Sequence, residues 1–585
     1  MKSVFVVSDN IMSSLGFTTA ENRASILASK TGIALSNDPS IYPDPFQAAR
    51  FDYAKLHSLI SRYGLTEYNL TEATAILSIL FTIQGTDIDL QGAEDLLILS
   101  TTKGHIAGLS GNIPPEKETY PAYTADRIAA YFRMKNRALV ISNACVSGVT
   151  ALITACRFLQ TGRYENIIVT GIDFVTAFTV SGFQSFKSIS PHPCRPYDKA
   201  RDGLSIGEGA GSILLTNKRE RLAGKKELRL LGGATTNDAN HISGPSRTGN
   251  GLSLSIENAL KFTGIDRRDI DFINLHGTAT VYNDEMESKA LKLSGLSNVP
   301  VNSLKAYFGH TLGASGLIET IVCLESLRNQ MCYATLGFEM PGTSEPLNVI
   351  SGHRKTELHT FIKTASGFGG FNSALVVTDK PDSNPACLPF TGSSPAISYA
   401  PVVYTVGANQ IRRNETPVFE TGKDLAFHDF IKSAYKNLNI DYPKFYKMDD
   451  LCKLAFITFE YLLKDIPDFD KRDKEKIALV CCNSVSSLDS DIKHRQSIAG
   501  KDPYFPSPSV FVYTLPNIML GEIAIRHKIQ GETICFVSEE NNTAGLKNYI
   551  RTLFETTDTE LVVFGKVDYL TGEYEAEMSF VQPLK

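Results

Sequence analysis

The feature that most constrains the fold of this chain is an internal repeat. Residues 128–173, IAAYFRMKNRALVISNACVSGVTALITACRFLQTGRYENIIVTGID, align almost without gaps with 523–568, IAIRHKIQGETICFVSEENNTAGLKNYIRTLFETTDTELVVFGKVD. Ile128 faces Ile523, and Asp173 faces Asp568. A repeat of this kind can decide an architecture, because the same supersecondary unit is then built twice. The echo stops soon after Asp568, so the second copy holds about half of the elements of the first. Glu540 falls opposite Cys145, and a slip of one residue puts Glu539 or Asn541 there, so no register restores a nucleophile.

Around the repeat, strand-like and helix-like stretches alternate. VFVV near the N-terminus, LLILS at 96–100, NIIVTGIDF at 166–174, LRLLGGATT and DIDFINLHG read as buried strands separated by helical spacings of apolar residues. This alternation predicts an α/β fold with helices covering a largely buried sheet. After the apolar strand ALVVT the chain turns rich in Pro, Ser and Asp, which reads as a linker over 380–399. The expected units are therefore 1–379, with lobes of about 1–225 and 226–379, and 400–585.

Composition narrows the partners. With 585 residues, 43% hydrophobic and 21% charged, the chain is globular, and a formal net charge of -5 argues against nucleic acid or anionic membrane as a general partner. The N-terminus lacks the pattern of a signal peptide, and no apolar run is long enough to span a bilayer. The ten cysteines are scattered without a CxxC or Cys/His ligand cluster, so a reducing cytoplasm, no disulfide scaffold and no metal are expected.

Four stretches carry candidate chemistry. VISNACVSG places Cys145 at a strand-to-helix turn, where unpaired backbone N–H groups and the helix dipole would favour thiolate. LHGTATVYNDEMES sets His276 directly after a strand, with Thr278 and Thr280 in the turn. NSLKAYFGHTLGASGLIET carries Lys305 and His310 in a Gly-rich loop and Glu319 in the following helix. SGFGGFNSALVV is a glycine-dense turn, with Phe368 and Phe371, where backbone can approach a ligand.

Taken together, NACVSG, CRPYDKARDGLSIGEGAG, HGTAT, KAYFGHTLGASGLIE and GFGGFN, in this order and spacing, resemble the β-ketoacyl-acyl-carrier-protein synthases of the thiolase fold, Cys-His-His type. The resemblance covers residues 1 to about 379 and implies a layered α-β-α-β-α unit. It implies that Cys145 takes an acyl group from a phosphopantetheine thioester and that His276 and His310 bind the malonyl carbonyl and stabilise the enolate left by decarboxylation. Lys305 resembles the lysine near the second histidine, with Glu319 its charge partner. The N–H groups of Cys145 and Phe368 are implied as the oxyanion hole, Phe368 also as a gate between acyl pocket and malonyl site, with Phe371, Thr278 and Thr280 lining the substrate path. No cofactor is implied beyond the phosphopantetheine of an acyl carrier protein, which is the expected partner. Phe371 stands where the family usually has Thr, and STTKGHIAGL replaces the usual Gly-rich turn after the third strand. STTKG and NDEMES resemble the branch associated with aryl polyene and flexirubin pigments.

Residues 400–585 resemble the N-terminal half of a ketosynthase without the HGTAT and KAYFGH loops, comparable to a shortened, Cys-less chain-length factor. The expectation is that this half docks on the first unit as a pseudo-subunit and helps shape the acyl tunnel, with a dimer of fused chains left as an open alternative. Competing readings are a thioester acyltransferase or hydrolase using the same thiol, and a non-catalytic scaffold. A basic set, Lys187, Arg195, Lys199 and Arg201, could receive an acidic carrier protein but more often marks a solvated face or internal ion pairs.

Overall fold

Three sheets with the same five-stranded core account for the architecture, seen in a computed structural model that describes residues 1–381, 396–422, 424–499, 506–538 and 543–584; a short strand, Asn348–Val349, extends the second sheet beside Pro300–Asn302. The first sheet is built from β1 (Val4–Ser13), β2 (Asp95–Ser100), β3 (Leu139–Ile141), β4 (Asn166–Asp173) and β5 (Gly209–Thr216). The second uses β6 (Arg229–Asn237), β7 (Phe272–Asn274), β8 (Pro300–Asn302), β9 (Thr360–Gly367) and β10 (Phe371–Thr378). The third uses β11 (Ile397–Gly407), β12 (Ile477–Asn483), β13 (Thr533–Val537), β14 (Leu561–Leu570) and β15 (Glu573–Pro583).

Strand order is the same in each. In the first sheet β3, β2 and β4 are parallel, and β5 and β1 follow antiparallel. β8, β7, β9, β10, β6 repeat this order in the second sheet, and β13, β12, β14, β15, β11 in the third. The parallel strands are buried along their whole length, as the continuous apolar runs LLILS and NIIVTGID require.

Residues 1–378 form the layered unit expected from the sequence. Helices α1 (Ser147–Gln160) and α2 (Ser315–Asn329) lie between the first two sheets. Both are buried on nearly every face, so both are apolar almost all round. They approach closely: a methyl group at Gly148 would sit 2.9 Å from the backbone nitrogen of Leu317. Helices 70–83 and 121–131 cover the outer face of the first sheet, and 250–263 and 281–293 that of the second.

The third sheet is where the repeat takes physical form. β13, with α4 (Ile518–His527) before it and α5 (Thr543–Thr556) after it, reproduces β3 and its flanking helices at the spacing read from the sequence. Thr101 and Thr102 bind the Asp173 carboxylate, and in the same place Ser484 and the Val485 N–H bind Asp568. The two copies meet edge to edge. β13 pairs antiparallel with β3, Phe536 against Ile141, and these are the two residues that face each other in the repeat. The junction is thus a local two-fold within one chain, and each strand supplies the edge the other lacks. One hydrophobic core runs across it from Ile98 and Ile141 to Phe536 and Tyr549.

On the far side of the third sheet, a hairpin of Gln410–Arg413 and Thr416–Glu420 pairs with β11. In the first sheet the equivalent strand, β1, continues instead into β6. The segment expected as a linker, 380–399, overlaps β11, which starts at Ile397 because Ile397 to Tyr399 pair with Val581 to Pro583. Its central part, 382–395, lies outside the described residues, as does Glu540. No described helix is long and apolar enough to cross a membrane.

Buried ion pairs pin the third sheet to the rest. Arg157 on α1 meets Glu532 at 2.6 Å and the Tyr549 hydroxyl at 2.9 Å. Lys103, in the STTKG turn, meets Asp491 at 2.7 Å. A pair of this kind is costly to break from one side, since the partner charge stays buried. Glu532→Ala is expected to cost about 3–5 kcal/mol of stability, read as a lowered thermal midpoint of the full chain, with Glu532→Gln closer to wild type.

Candidate active site

Cys145 sits in a 3-10 turn, Ala144–Val146, that joins β3 to α1. Ala144 adopts a left-handed φ of 49°, which turns the chain sharply enough to present the next side chain to the cavity. The Asn143 side chain fixes this turn from below. Its Oδ1 accepts from the Cys535 N–H at 2.8 Å and its Nδ2 donates to the Thr533 carbonyl at 3.2 Å, both on β13.

Two histidines converge on the thiol. His276 follows β7, and its backbone N–H and that of Gly277 donate to Glu287 at 2.7 and 2.8 Å. His310 follows the short helix Lys305–Phe308, with Nε2 3.1 Å from Cys145 Sγ and Nδ1 3.0 Å from Ser315 Oγ. The two rings lie 5.1 Å apart, nearly perpendicular. His276 Nδ1 is buried and has no hydrogen-bond partner among the described residues. Lys305 and Glu319 meet at 2.5 Å, fully buried.

Electrostatics differ from the sequence expectation at one point. Burial pushes the Cys145 thiol up to about 12, while the Lys305 cation pulls the other way. The expected depression fails because the turn encloses the sulfur and removes water from the thiolate, and helix α1 proper begins only at Ser147. Burial, then the Lys305 cation, hold both imidazoles well below the usual histidine value, so both are neutral at pH 7.

The site opens into a cavity of about 330 Å³ lined by Cys145, both histidines, Thr278, Thr280, Phe368 and Phe371, among others. Seven of the nine residues that the resemblance places in the site line this one cavity, and Lys305 and Glu319 form a buried pair outside its lining. Thr278 and Thr280 hydroxyls lie 2.9 Å apart on its wall. Phe368 packs against Phe183 and Phe186, with centroids 6.2 and 5.7 Å away. Gly367 approaches so closely that a methyl there would lie 3.1 Å from the Cys145 nitrogen. Of the basic set, Arg201 is internal, bonded to the Asp198 and Gly342 carbonyls.

Residues 43–221 match the N-terminal domain of the beta-ketoacyl synthases and residues 229–339 the C-terminal domain. Through these residues the chain belongs to the β-ketoacyl synthase family. It is 33% identical over 245 residues to 3-oxoacyl-(acyl-carrier-protein) synthase 2 of Synechocystis sp., covering 40% of this chain and 59% of that protein. It is 32% identical over 251 residues to the synthase of the same name from Rhizobium meliloti, covering 40% and 59%. The chain spans 59–64% of the length of the curated relatives it matches. Among solved structures, a beta-ketoacyl synthase from Burkholderia phymatum is 24% identical with a TM-score of 0.59, covering 65% of this chain and 99% of its own. One described as "PfaC Keto synthase-Chain length factor" covers 100% of this chain and 78% of its own, at 16% identity and a TM-score of 0.77. At these identities the likeness is one of fold, and the second takes in residues 400–585 as well.

One charged group of the ketosynthase unit escaped the sequence reading. Lys363, on β9, is fully buried and binds the second Glu319 oxygen at 2.5 Å. Two ammonium groups thus share one carboxylate, which leaves a positive surplus behind the histidines. The signal was available in TFIKTASG, where a lone lysine interrupts an inward-facing run, since lysine is almost never fully buried unless paired. Ligand atoms of Cys145, His276 and His310 lie within 4.8 Å of one another, a spacing that suits a metal ion, but the lysine surplus opposes a cation there. The Lys363 cation also helps hold both histidine values down. Lys363→Met is therefore expected to raise them toward the ordinary value. The acid limb of the pH profile for Cys145 alkylation should move to higher pH; an unmoved limb contradicts this account.

Proposed function

We propose that the chain is a condensing enzyme, joining an acyl group held on Cys145 to a malonyl unit delivered by an acyl carrier protein. The observation that carries the reading is the thiol with two neutral imidazoles beside it at the floor of one cavity. In the first step the Cys145 sulfur attacks the incoming thioester carbonyl, its proton passes to His310 Nε2 at 3.1 Å, and the carrier thiol leaves with a proton. Backbone N–H groups at Cys145 and Phe368 receive the oxyanion.

In the second step the carbon–carbon bond of the malonyl group breaks, carbon dioxide departs, and the electron pair moves onto the thioester oxygen as an enolate. Imidazole N–H groups of His276 and His310 stabilise that charge, and neutral rings suffice for donation. Ser315 supports both duties of His310. Donating to Nδ1 it leaves the proton on Nε2, and accepting from Nδ1 it leaves Nε2 free to take the thiol proton. The enolate carbon then attacks the acyl carbonyl, the carbon–sulfur bond breaks, and the Cys145 sulfur leaves as a thiolate that takes up a proton from water. The Lys305, Lys363 and Glu319 cluster favours the states in which negative charge develops at the site.

Residues 400–585 serve as a built-in second subunit without a nucleophile. Phe511, on helix α3 (Pro508–Tyr513), reaches into the first unit against Gly182 and stands 5.5 Å from the Phe183 ring. It is the group of the appended half best placed to limit an acyl chain. The finer assignment to aryl polyene or flexirubin chemistry is supported by STTKG and NDEMES and concerns only the starter.

Intact-protein mass spectrometry tests the reading. Wild type incubated with aryl-enoyl or saturated acyl carrier protein should gain one acyl group at Cys145, lost on addition of malonyl carrier protein with an extended product; Cys145→Ser should gain none. Acylation without extension favours an acyltransferase. His276→Ala should acylate yet fail to extend, with loss of about 10²–10³ in rate, the cost of one oxyanion donor.

A further inference from the structure

The turn that carries Phe368 is held from across the junction. β9 and β10 are joined by Gly367 to Gly370, and the Phe368 carbonyl accepts a hydrogen bond from Asn517 Nδ2 at 3.0 Å. Asn517 stands at the N-terminus of α4, a position where Asn ordinarily bonds the first N–H groups of its own helix. Here its side chain makes no such bond. It is fully buried and spent on the Phe368 turn instead.

A second observation on α4 points to the same place. Gly521 lies inside the helix, where glycine is less favourable than alanine. A methyl group there would stand 2.9 Å from the Gly369 oxygen and 3.1 Å from its Cα. The contact is reciprocal: Gly369 has φ near 90°, and a methyl there would lie 3.1 Å from Asn517 Nδ2. Two glycines thus let helix and turn touch backbone to backbone. Within the first unit the Gly369 N–H donates to the Ile242 carbonyl at 2.6 Å, the Asp238 N–H donates to the Gly370 carbonyl at 2.7 Å, and Asn237 Nδ2 donates to the Gly369 carbonyl, while the Asn237 N–H donates to the Gln530 carbonyl of the appended half.

We propose that Asn517 and Gly521 are positioning residues that hold the Phe368 turn in register over Cys145, so that the ketosynthase site is incomplete without residues 400–585. This rests on the condensing-enzyme reading for its catalytic consequence, and on the contacts alone for its structural one. The appended half then does more than fill the place of a second subunit. Through Asn143 it fixes the nucleophile turn from β13, and through α4 it fixes the opposite wall.

Asn517→Leu and Gly521→Ala in the full chain test this, with hydrogen–deuterium exchange as the readout that needs no activity. Exchange should rise in peptides covering 366–372 and stay at the wild-type level over 142–150. In the assay with malonyl carrier protein, kcat should fall about tenfold or more, because small displacements of a positioned group are costly. KM and the rate of Cys145 alkylation by iodoacetamide should stay within about twofold. Gly521→Ala should do this although alanine favours the helix, because its methyl forces the Gly369 backbone to move. Unchanged exchange at 366–372 in both variants overturns the proposal, and so does raised exchange with kcat intact. A uniform rise in exchange with a lowered midpoint in both variants also overturns it, as a merely structural role. If wild type does not condense, the exchange result still decides the positioning claim, and only the function reading falls.

Discussion

The antiparallel pairing of β3 with β13 is the contact on which the rest of the structure depends. A strand edge presents unpaired N–H and C=O groups that must be satisfied, and each copy of the repeat satisfies the other. Because the paired residues are equivalents, the two copies meet face to face around a local two-fold. That geometry brings α4 and α3 of the appended half against Phe368 and Phe183, which line the cavity, and it places Asn143 against β13 two residues before the thiol. Nothing in 400–585 needs to react for the site to depend on it.

The second organising feature is charge in a dry place. Lys305 and Lys363 share Glu319, all three buried, and their surplus is felt by two imidazoles that burial already keeps neutral. Two unlike demands are met together. The histidines remain neutral at pH 7, and in the proposed condensation a developing anion would meet a positive field that costs no reorganisation. The resting thiol, pushed up by burial, is protonated.

Much of the site was legible because its residues occur in short, ordered stretches. NACVSG, HGTAT and KAYFGH each place a functional side chain next to a strand end, and parallel strands must end at one common edge of a sheet, which gathers those ends. Lys363 went unread since a strand pattern weights apolar neighbours and passes over one long cation between them. The sense of the Cys145 shift was also missed. A helix N-terminus is visible in sequence, whereas enclosure by the Gly367 turn and His310 is a property of packing.

The sequence by itself determined the α/β class, the repeat and its register, the absence of a nucleophile at every register of the second copy, and the short stretches that carry Cys145, His276 and His310. These are local or self-similar properties, written in spacing and alternation. Only the tertiary structure decided that three half-units share one strand order, that equivalent residues pair at the junction, and that Asn517 and Gly521 support a turn 149 residues away from Asn517 along the chain. Such contacts join elements far apart in sequence, and their partners are chosen by which edges and faces remain unsatisfied after the local structure has formed, which no single stretch of the chain encodes.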